Sequence, residues 1–476
     1  MENINFSLHS DHPHEECGVL GIFAPQEDVA RMAFFGLFAL QHRGQDATGL
    51  AVSNGESIRL HKDIGLVSHV FTPGVLEKMG GDFAIGHTRY TIEGVATASN
   101  SQPFMLNTQF GPLALAHNGS LVNAPELRER LMRSGVGLTS NTDTEVMLMM
   151  LAGAHGDTWF ERLQDAMQHW VGAYSLVLLT KDQVFAVRDP WGIRPLSVGL
   201  LPNGGHAAAS ETGALMTLGC EAVREVQPGE IVALSNTALT VNQALRPAKK
   251  RAFCSFEHVY FSRPDAYWDR RSVHSVRHRL GVELAHQAPT DADVVIPIPD
   301  SSISAAIGYS QASGIPYNIG FIKNRYIGRT FIEPTDFLRK QGVALKYNVL
   351  VETVSDKRVV MVDDSIVRGN TTGPLIQLLR KAGAREVHVR ISSPPVRHPC
   401  HLGVNMGTYA ELIAAHKSVD EIRQHVGADS LVYLTLEGMM KAIGSENGYC
   451  AACFTGINPT FIQNNDRNAG NKNTED

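Results

Sequence analysis

The stretch Val359-Val360-Met361-Val362-Asp363-Asp364-Ser365-Ile366-Val367-Arg368-Gly369-Asn370-Thr371-Thr372 decides how the rest of the chain is read. Its four leading apolar residues, mostly β-branched, predict a buried strand, and an acidic pair sits where that strand must end. Small and polar residues then lead into Leu375, Ile376, Leu378 and Leu379, whose spacing predicts a helix. In an open α/β sheet, ligands bind at the carboxyl ends of the strands, where this unit puts its carboxylates. Backbone N–H groups of residues 368–372, with the hydroxyls of Ser365, Thr371 and Thr372, can wrap a phosphate at the positive end of the helix. Asp363 and Asp364 can accept hydrogen bonds from vicinal ribose hydroxyls or hold Mg²⁺ through oxygen. Alone, the acidic pair reads as an ordinary turn; the strand before it and the Gly-Asn-Thr-Thr loop behind it favour a sugar-phosphate site.

The stretch resembles the phosphoribosyl-pyrophosphate (PRPP) motif of type I phosphoribosyltransferases, with Asn370 where the family usually has Thr or Ser. The resemblance implies that Asp363, Asp364, Ser365, Arg368, Gly369, Asn370, Thr371 and Thr372 contact PRPP. Upstream, Val294-Val295-Ile296 followed by Asp300-Ser301-Ser302 and Ala305-Ala306-Ile307-Gly308 predicts a second strand, loop and helix. Type I transferases bind pyrophosphate at this loop, which implies that Ser301, with Asp363 and Asp364, meets the metal. Lys323 to Phe331 concentrates cations, Lys323 and Arg329 among them, with Arg339 and Lys346 following. A solvated basic loop is the plain reading; beside two phosphate loops, a segment closing over a polyanion is favoured.

The chain has 476 residues, 43% hydrophobic, enough for two or three domains. Its 42 basic and 48 acidic side chains leave a net charge of −6, so nothing draws it to nucleic acid or anionic membrane. Residues 1–16 lack the apolar core of a secretory signal, and no apolar run is long enough to span a bilayer. A cytoplasmic location follows, where six cysteines are expected as ligands, nucleophiles or core residues.

In the amino-terminal half, residues 17–24 alternate small and large apolar side chains and predict a strand headed by Cys17. Gln41-His42-Arg43-Gly44-Gln45-Asp46, Gly86-His87-Thr88-Arg89-Tyr90, His117-Asn118-Gly119 and Thr142-Asp143-Thr144-Glu145 are polar clusters at the ends of apolar runs. Singly, Arg89 and Asp143 read as a surface ion pair and Asn118-Gly119 as a hairpin turn. Together, in order and spacing, the clusters resemble the glutaminase domain of the N-terminal-nucleophile amidotransferases, although Ile92 departs from the family pattern after Tyr90. The resemblance implies removal of a leader, residues 1–16, to expose Cys17 as nucleophile, with its own α-amino group as base. It assigns the oxyanion hole to Asn118 and Gly119, the glutamine carboxylate to Arg89 and its ammonium to Asp143. Residues 173–179 and 183–189 predict neighbouring strands. The basic, Pro-containing run Leu245 to Arg251 marks a domain boundary.

Cys220 reads as structural. Cys450-Ala451-Ala452-Cys453 lets two thiolates reach one metal, and Cys254 and Cys400 sit after predicted strands. Four thiolates suit zinc or an iron–sulfur cluster, and a redox pair is a further option; spacing leaves these open. Joined with the other motifs, the cysteines resemble the branch of glutamine PRPP amidotransferases that carries a leader and a structural [4Fe–4S] cluster. Residues 17 to about 460 share that resemblance. It implies a four-layer αββα glutaminase domain over residues 17–245 and a type I phosphoribosyltransferase parallel-sheet domain over 246–460, with residues 461–476 an Asn-rich disordered tail. It also implies one Mg²⁺ and one [4Fe–4S] cluster per subunit, a homotetramer, and inhibition by purine nucleotides. The reaction implied consumes glutamine, PRPP and water and yields 5-phosphoribosylamine, glutamate and pyrophosphate, the first committed step of de novo purine synthesis. Two alternatives are a glutaminase serving another acceptor and a PRPP-sensing regulator without catalysis.

Overall fold

The computed structural model describes residues 17–90, 97–234, 239–324, 346–404, 406, 408–444 and 447–460. The leader, the tail, Ile92, Arg329 and Arg339 lie outside the described residues.

The strand headed by Cys17 runs Gly18–Phe23 and is buried along its whole length. Small residues explain why: a Cβ on Gly21 of the strand would lie 2.9 Å from the Val184 side chain of a facing sheet, and one on Gly36 of helix Val29–Ala39 would lie 2.7 Å from Leu20. Gly18–Phe23 is the middle strand of a seven-stranded sheet ordered Glu221–Glu225, Ser197–Leu200, His206–Ala209, Gly18–Phe23, Phe83–Arg89, Ala47–Ser53 and Ile58–Ile64. A second sheet runs Thr240–Gln243, Glu230–Leu234, Val184–Arg188, Gly172–Leu179, Gly111–Leu121 and Phe104–Thr108. Adjacent strands within both sheets are antiparallel.

The sheets face each other across Val19, Phe23, Ala51 and Ile85 on one side and Ala114, Ala116, Val177 and Val232 on the other. Helix Val29–Ala39 covers the outer face of the first sheet, and helices Asp143–Ala152 and Trp159–Met167 that of the second. The result is the expected four-layer αββα half, with the two expected strands observed as the antiparallel neighbours Gly172–Leu179 and Val184–Arg188. Asn118 and Gly119 do not form a hairpin turn; they lie inside strand Gly111–Leu121, paired with Ser175 and Tyr174.

After Gln243 the chain leaves the second sheet, and Phe253–Cys254 pairs in parallel with Tyr449–Cys450. Cys254 is thus within a short strand rather than after one. The second half is a parallel sheet ordered Val294–Pro297, Arg358–Asp363, Glu386–Ile391 and Ser430–Tyr433. Alternation decides which residues face which layer. Val295, Val360 and Val362 meet helices Val273–Gln287 and Ile303–Ser313, while Ile296, Val359 and Met361 meet helices Thr372–Lys381 and Val419–Val426. The doubly wound form brings the loops after Pro297 and Asp363 together at one edge.

The halves share a core. The cluster around Val276, Leu280 and Val295 extends through Phe256 and Leu402 to Ala173, Trp191 and Ile193 of the glutaminase layers. Beside it lie buried charges contributed by both halves. Arg43 donates to Glu211 Oε1 at 2.5 Å and to Glu257 Oε1 at 2.6 Å, and Arg194 lies 3.9 Å from Glu257, all at most 1% exposed. Among the described residues no helix is long and apolar enough to cross a membrane.

Candidate active sites

The pairing of Gly18 with Thr88 carries one step further to set Cys17 opposite Arg89. The Cys17 thiol donates to the carbonyl of Tyr90 at 3.8 Å, and its carbonyl accepts from Arg43 Nε at 3.3 Å. Burial pushes the thiol up, against the lowering charge of Arg89, so the resting group is a thiol that needs a base. Asp143 opens helix Asp143–Ala152, capped by Thr142. It accepts from the Leu121 N–H at 3.0 Å, and its other oxygen lies 3.6 Å from His117 Nδ1. Burial would raise its pKa, yet His117 and backbone hydrogen bonds outweigh burial and hold it below the ordinary carboxylate value. It is therefore ionised near neutral pH and able to face an ammonium.

Asn118, next along the strand from His117, is fully buried, with neither Oδ1 nor Nδ2 hydrogen-bonded within the described structure. An orphaned buried amide costs roughly 1–3 kcal/mol, a cost a binding site recovers when a ligand supplies the partner. Gly119 follows with φ +139, and a Cβ there would lie 2.1 Å from the carbonyl oxygen of Ala173. Only glycine fits. Arg89 Nε is likewise buried without a partner. Cys17 is thus within electrostatic reach of Arg89 and Asp143, and Asn118 and Gly119 lie on the strand whose Leu121 N–H holds Asp143, groups of the kinds that amide attack, oxyanion capture and a two-ended amino-acid clamp require.

In the second half, Asp363 and Asp364 are buried at the end of strand Arg358–Asp363. Asp363 accepts from the Asp364 N–H at 2.9 Å, and Asp364 accepts from the hydroxyls of Ser365 and Ser301. Ser301 and the acidic pair, read from separate stretches, are therefore in contact. Lys323 reaches Asp300 of the same loop at 2.8 Å. Gly369 takes φ +80, which turns the loop into helix Thr372–Lys381, with Thr371 at its N-cap. Arg368 pairs with Glu411 at 3.1 Å. A cavity of about 370 Å³ opens beside Gly369 and Asn370, lined also by Gly373, Arg380 and His425.

Oxygen donors from Asp363, Asp364 and Ser301 fit Mg²⁺, which takes one or two carboxylates and completes its shell with water and substrate phosphate. Cys254, Cys400, Cys450 and Cys453 are free cysteines. Burial pushes Cys254 up to about 12 and Cys450 up to about 11, and each also feels the charge of Cys400. Cys453, raised well above the usual thiol value by burial, feels all three others. Four thiols in mutual electrostatic reach suit a Cys₄ centre, although no group of three or more His, Cys, Asp or Glu among the described residues is disposed to hold a metal as it stands.

A glutamine amidotransferase domain model matches residues 87–217, which contain Arg89, Asn118, Gly119 and Asp143. An amidophosphoribosyltransferase of Synechococcus elongatus is 47% identical over 95% of this chain and 93% of its own, and one of Bacillus subtilis is 45% identical over 94% and 95%. Among solved structures, the allosteric regulatory enzyme of purine biosynthesis superposes with a TM-score of 0.89 at 45% identity, covering 93% of this chain and 96% of its own. The glutamine PRPP amidotransferase from B. subtilis complexed with ADP and GMP gives 0.87 at 45% identity, covering 93% and 97%.

The chain belongs to the amidophosphoribosyltransferase family. Its two halves are the N-terminal-nucleophile glutaminase and type I phosphoribosyltransferase folds of that family. Several residues around the amidophosphoribosyltransferase sites escaped sequence reading. Lys62, pushed down to about 8 by burial and then by the charge of Arg89, lies 4.5 Å over the Phe104 ring. It sits on a half-exposed strand with nothing local to single it out. Arg43 stood in a recognised polar cluster, but its partner Glu257 lies 214 residues away. Gly403, whose Cβ would lie 2.8 Å from Gly119, carries no local signal at all.

Proposed function

We propose that this chain is a glutamine-dependent amidophosphoribosyltransferase, which hydrolyses glutamine in one half and transfers the ammonia to PRPP in the other, as the committed step of purine synthesis. The full-length relationship carries this reading, because neither half alone defines the acceptor. In the glutaminase half, Arg89 binds the substrate carboxylate and ionised Asp143 its ammonium, presenting the side-chain amide to Cys17. The buried thiol needs a base, and among the described residues its hydrogen bond goes to the Tyr90 carbonyl, which is not one. Removal of residues 1–16 would supply one, since a free α-amino group titrates near pH 8 and would sit on the same residue. The thiolate attacks the amide carbon, and the charge that develops on oxygen is met by Asn118 Nδ2 and the Gly119 N–H. Ammonia leaves and a thioester remains for water to hydrolyse.

In the other half, residues 368–372 hold the 5-phosphate, Asp363 and Asp364 the ribose hydroxyls, and the Asp300 loop with Lys323 and Arg329 the pyrophosphate. Mg²⁺, one per subunit, when bound supplies charge neutralisation for the leaving pyrophosphate. Ammonia then forms the bond to C1 as the C1–O bond to pyrophosphate breaks, and water must be excluded for aminolysis to win over hydrolysis.

The free cysteines support a cytoplasmic, reducing location, and the ADP- and GMP-bound relative supports purine nucleotides as effectors. A homotetramer is taken from the family resemblance. A structural [4Fe–4S] cluster, one per subunit, is taken from the family resemblance and is supported by the electrostatic reach of Cys254, Cys400, Cys450 and Cys453 on one another: purified protein should be brown and carry about four iron atoms per chain. Colourless, zinc-loaded, fully active protein would remove the cluster.

The deciding experiment measures glutamate and pyrophosphate release from anaerobically purified protein with Mg²⁺ and glutamine, with and without PRPP. Glutamate release that rises with PRPP and matches pyrophosphate ties both halves into one reaction. Cys17→Ala should abolish synthesis from glutamine and retain synthesis from ammonia. Glutamate release indifferent to PRPP, without pyrophosphate, sinks the reading.

A further inference from the structure

The segment of the transferase half that follows Cys400 reaches into the glutaminase half. Gly403 there has φ +103, and a Cβ on it would lie 2.8 Å from both the Cα and the carbonyl carbon of Gly119 and 3.2 Å from its oxygen. The two backbones are in direct contact. The contact is held from three sides. The Leu402 carbonyl accepts two bonds from the Arg194 guanidinium, at 2.9 Å from Nε and 2.7 Å from Nη2, and Arg194 is fully buried. The Leu402 N–H donates to Cys400 Sγ at 3.3 Å. Leu402, Val404 and Met406 are anchored in the core shared by the two halves. On the other side, Gly119 is pinned against Ala173, so it cannot retreat from a displaced Gly403 without breaking the strand pair.

We infer that Gly403 is a positioning residue for glutamine hydrolysis: seated by the Arg194–Leu402 clamp, it sets the place of the Gly119 peptide and of the Asn118 amide beside it, so that the glutaminase oxyanion hole is completed by the transferase half. The inference rests on the proposed roles of Asn118 and Gly119. It gives those roles a physical dependence on the second half that sequence alignment of the glutaminase domain would not contain, because Gly403 lies outside residues 87–217. A shift of about 1 Å in a catalytic group costs on the order of 100-fold in rate, and adding a methyl group at 2.8 Å from a backbone atom forces a shift of that order. Arg194→Lys keeps a cation in the same pocket but cannot fork onto one carbonyl, so the same displacement follows by a different route.

The test compares wild type, Gly403→Ala and Arg194→Lys as full-length holoenzymes. The aldehyde analogue of glutamine, which adds to the thiol and acquires a tetrahedral oxyanion, probes the hole; glutamate probes the clamp alone. Both variants should bind the aldehyde about 100-fold more weakly, bind glutamate within about twofold of wild type, and lose glutamine kcat with little change in KM. Ammonia-dependent synthesis should be retained, a split that a general loss of folding would not produce. Arg194→Lys keeps the test decisive should Gly403→Ala fail to fold. Wild-type affinity for the aldehyde in a folded variant, or parallel loss of aldehyde and glutamate binding, overturns the inference. A wild-type enzyme that does not bind the aldehyde at all overturns the roles of Asn118 and Gly119 with it.

Discussion

Among the described residues the buried Asn118 amide has no partner, and its proposed oxyanion role explains why: a neighbouring partner in the resting protein would compete with that oxyanion. The arrangement stores hydrogen-bonding capacity at a stability cost of roughly 1–3 kcal/mol and spends it only as negative charge appears on the substrate. Asn118→Ala should therefore lower glutamine kcat by about 10²–10³-fold and leave KM and ammonia-dependent synthesis nearly unchanged. The variant should also be no less stable than wild type in denaturant unfolding, since the orphaned dipole goes with the side chain. A loss confined to KM would instead make Asn118 a ground-state binding group. At this scale the sequence was most informative where chemistry is local. Asp363, Asp364 and Ser365 are consecutive, and Cys17, Arg89, Asn118 and Asp143 each head or end an apolar run. It was least informative for groups whose role lies in a distant contact. Nothing in the neighbourhood of Lys62, Glu257 or Gly403 announces Arg89, Arg43 or Gly119, and those pairings exist only once two sheets and two halves have closed on each other.

The elements that carry the phosphate loops are positioned by glycine as much as by apolar side chains. Helix Ile303–Ser313, which follows Ser301 and Ser302, crosses helix Val273–Gln287 where a Cβ on Gly308 would lie 2.0 Å from the His278 carbonyl oxygen, and one on Gly281 1.8 Å from that of Ala305. Two backbones in contact fix the height of the Asp300 loop over the sheet, and with it the hydrogen bond from Ser301 to Asp364. Gly308→Ala must push the helices apart, costing about 3 kcal/mol, and should raise KM for PRPP as the loop moves away from Asp364. Unfolding in urea, with PRPP KM measured on the same samples, checks both effects; an unchanged midpoint and KM would mean that the crossing tolerates the methyl group and does not hold the loop. Element type was readable from alternation and periodicity, as the strands Gly18–Phe23 and Arg358–Asp363 and the helix Thr372–Lys381 show. Asn118-Gly119 was ambiguous because the same dipeptide serves hairpins, and only pairing with residues 174–175 makes it mid-strand. The helix crossing was not readable, since a glycine inside a helical pattern looks locally like a weakness.

At the scale of the molecule, the two halves are joined by a continuous apolar core and by buried ion pairs that cross between them. Arg43 belongs to the nucleophile's half, its carboxylate Glu257 to the other, and both are at most 1% exposed. Separating the halves would strip the buried Glu257 carboxylate of its guanidinium partners Arg43 and Arg194 as well as expose Phe256, Trp191 and Leu402. Breaking one buried pair by removing a partner costs about 3–5 kcal/mol, so partial separation is an expensive state and the halves should unfold together. Scanning calorimetry at fixed protein concentration should give one transition, with far-UV circular dichroism and tryptophan fluorescence reporting the same midpoint. Glu257→Ala keeps Arg43 paired with Glu211 yet removes its ion pair across the halves. It should lower both midpoints together, and in activity assays cost more of the glutamine-dependent rate than of the ammonia-dependent one, because Arg43 also holds the carbonyl of Cys17. Two well-separated transitions in the wild-type protein would mean that the shared core is too weak to couple the halves. The coordination between glutaminase and transferase would then have to come from ligands rather than from the fold.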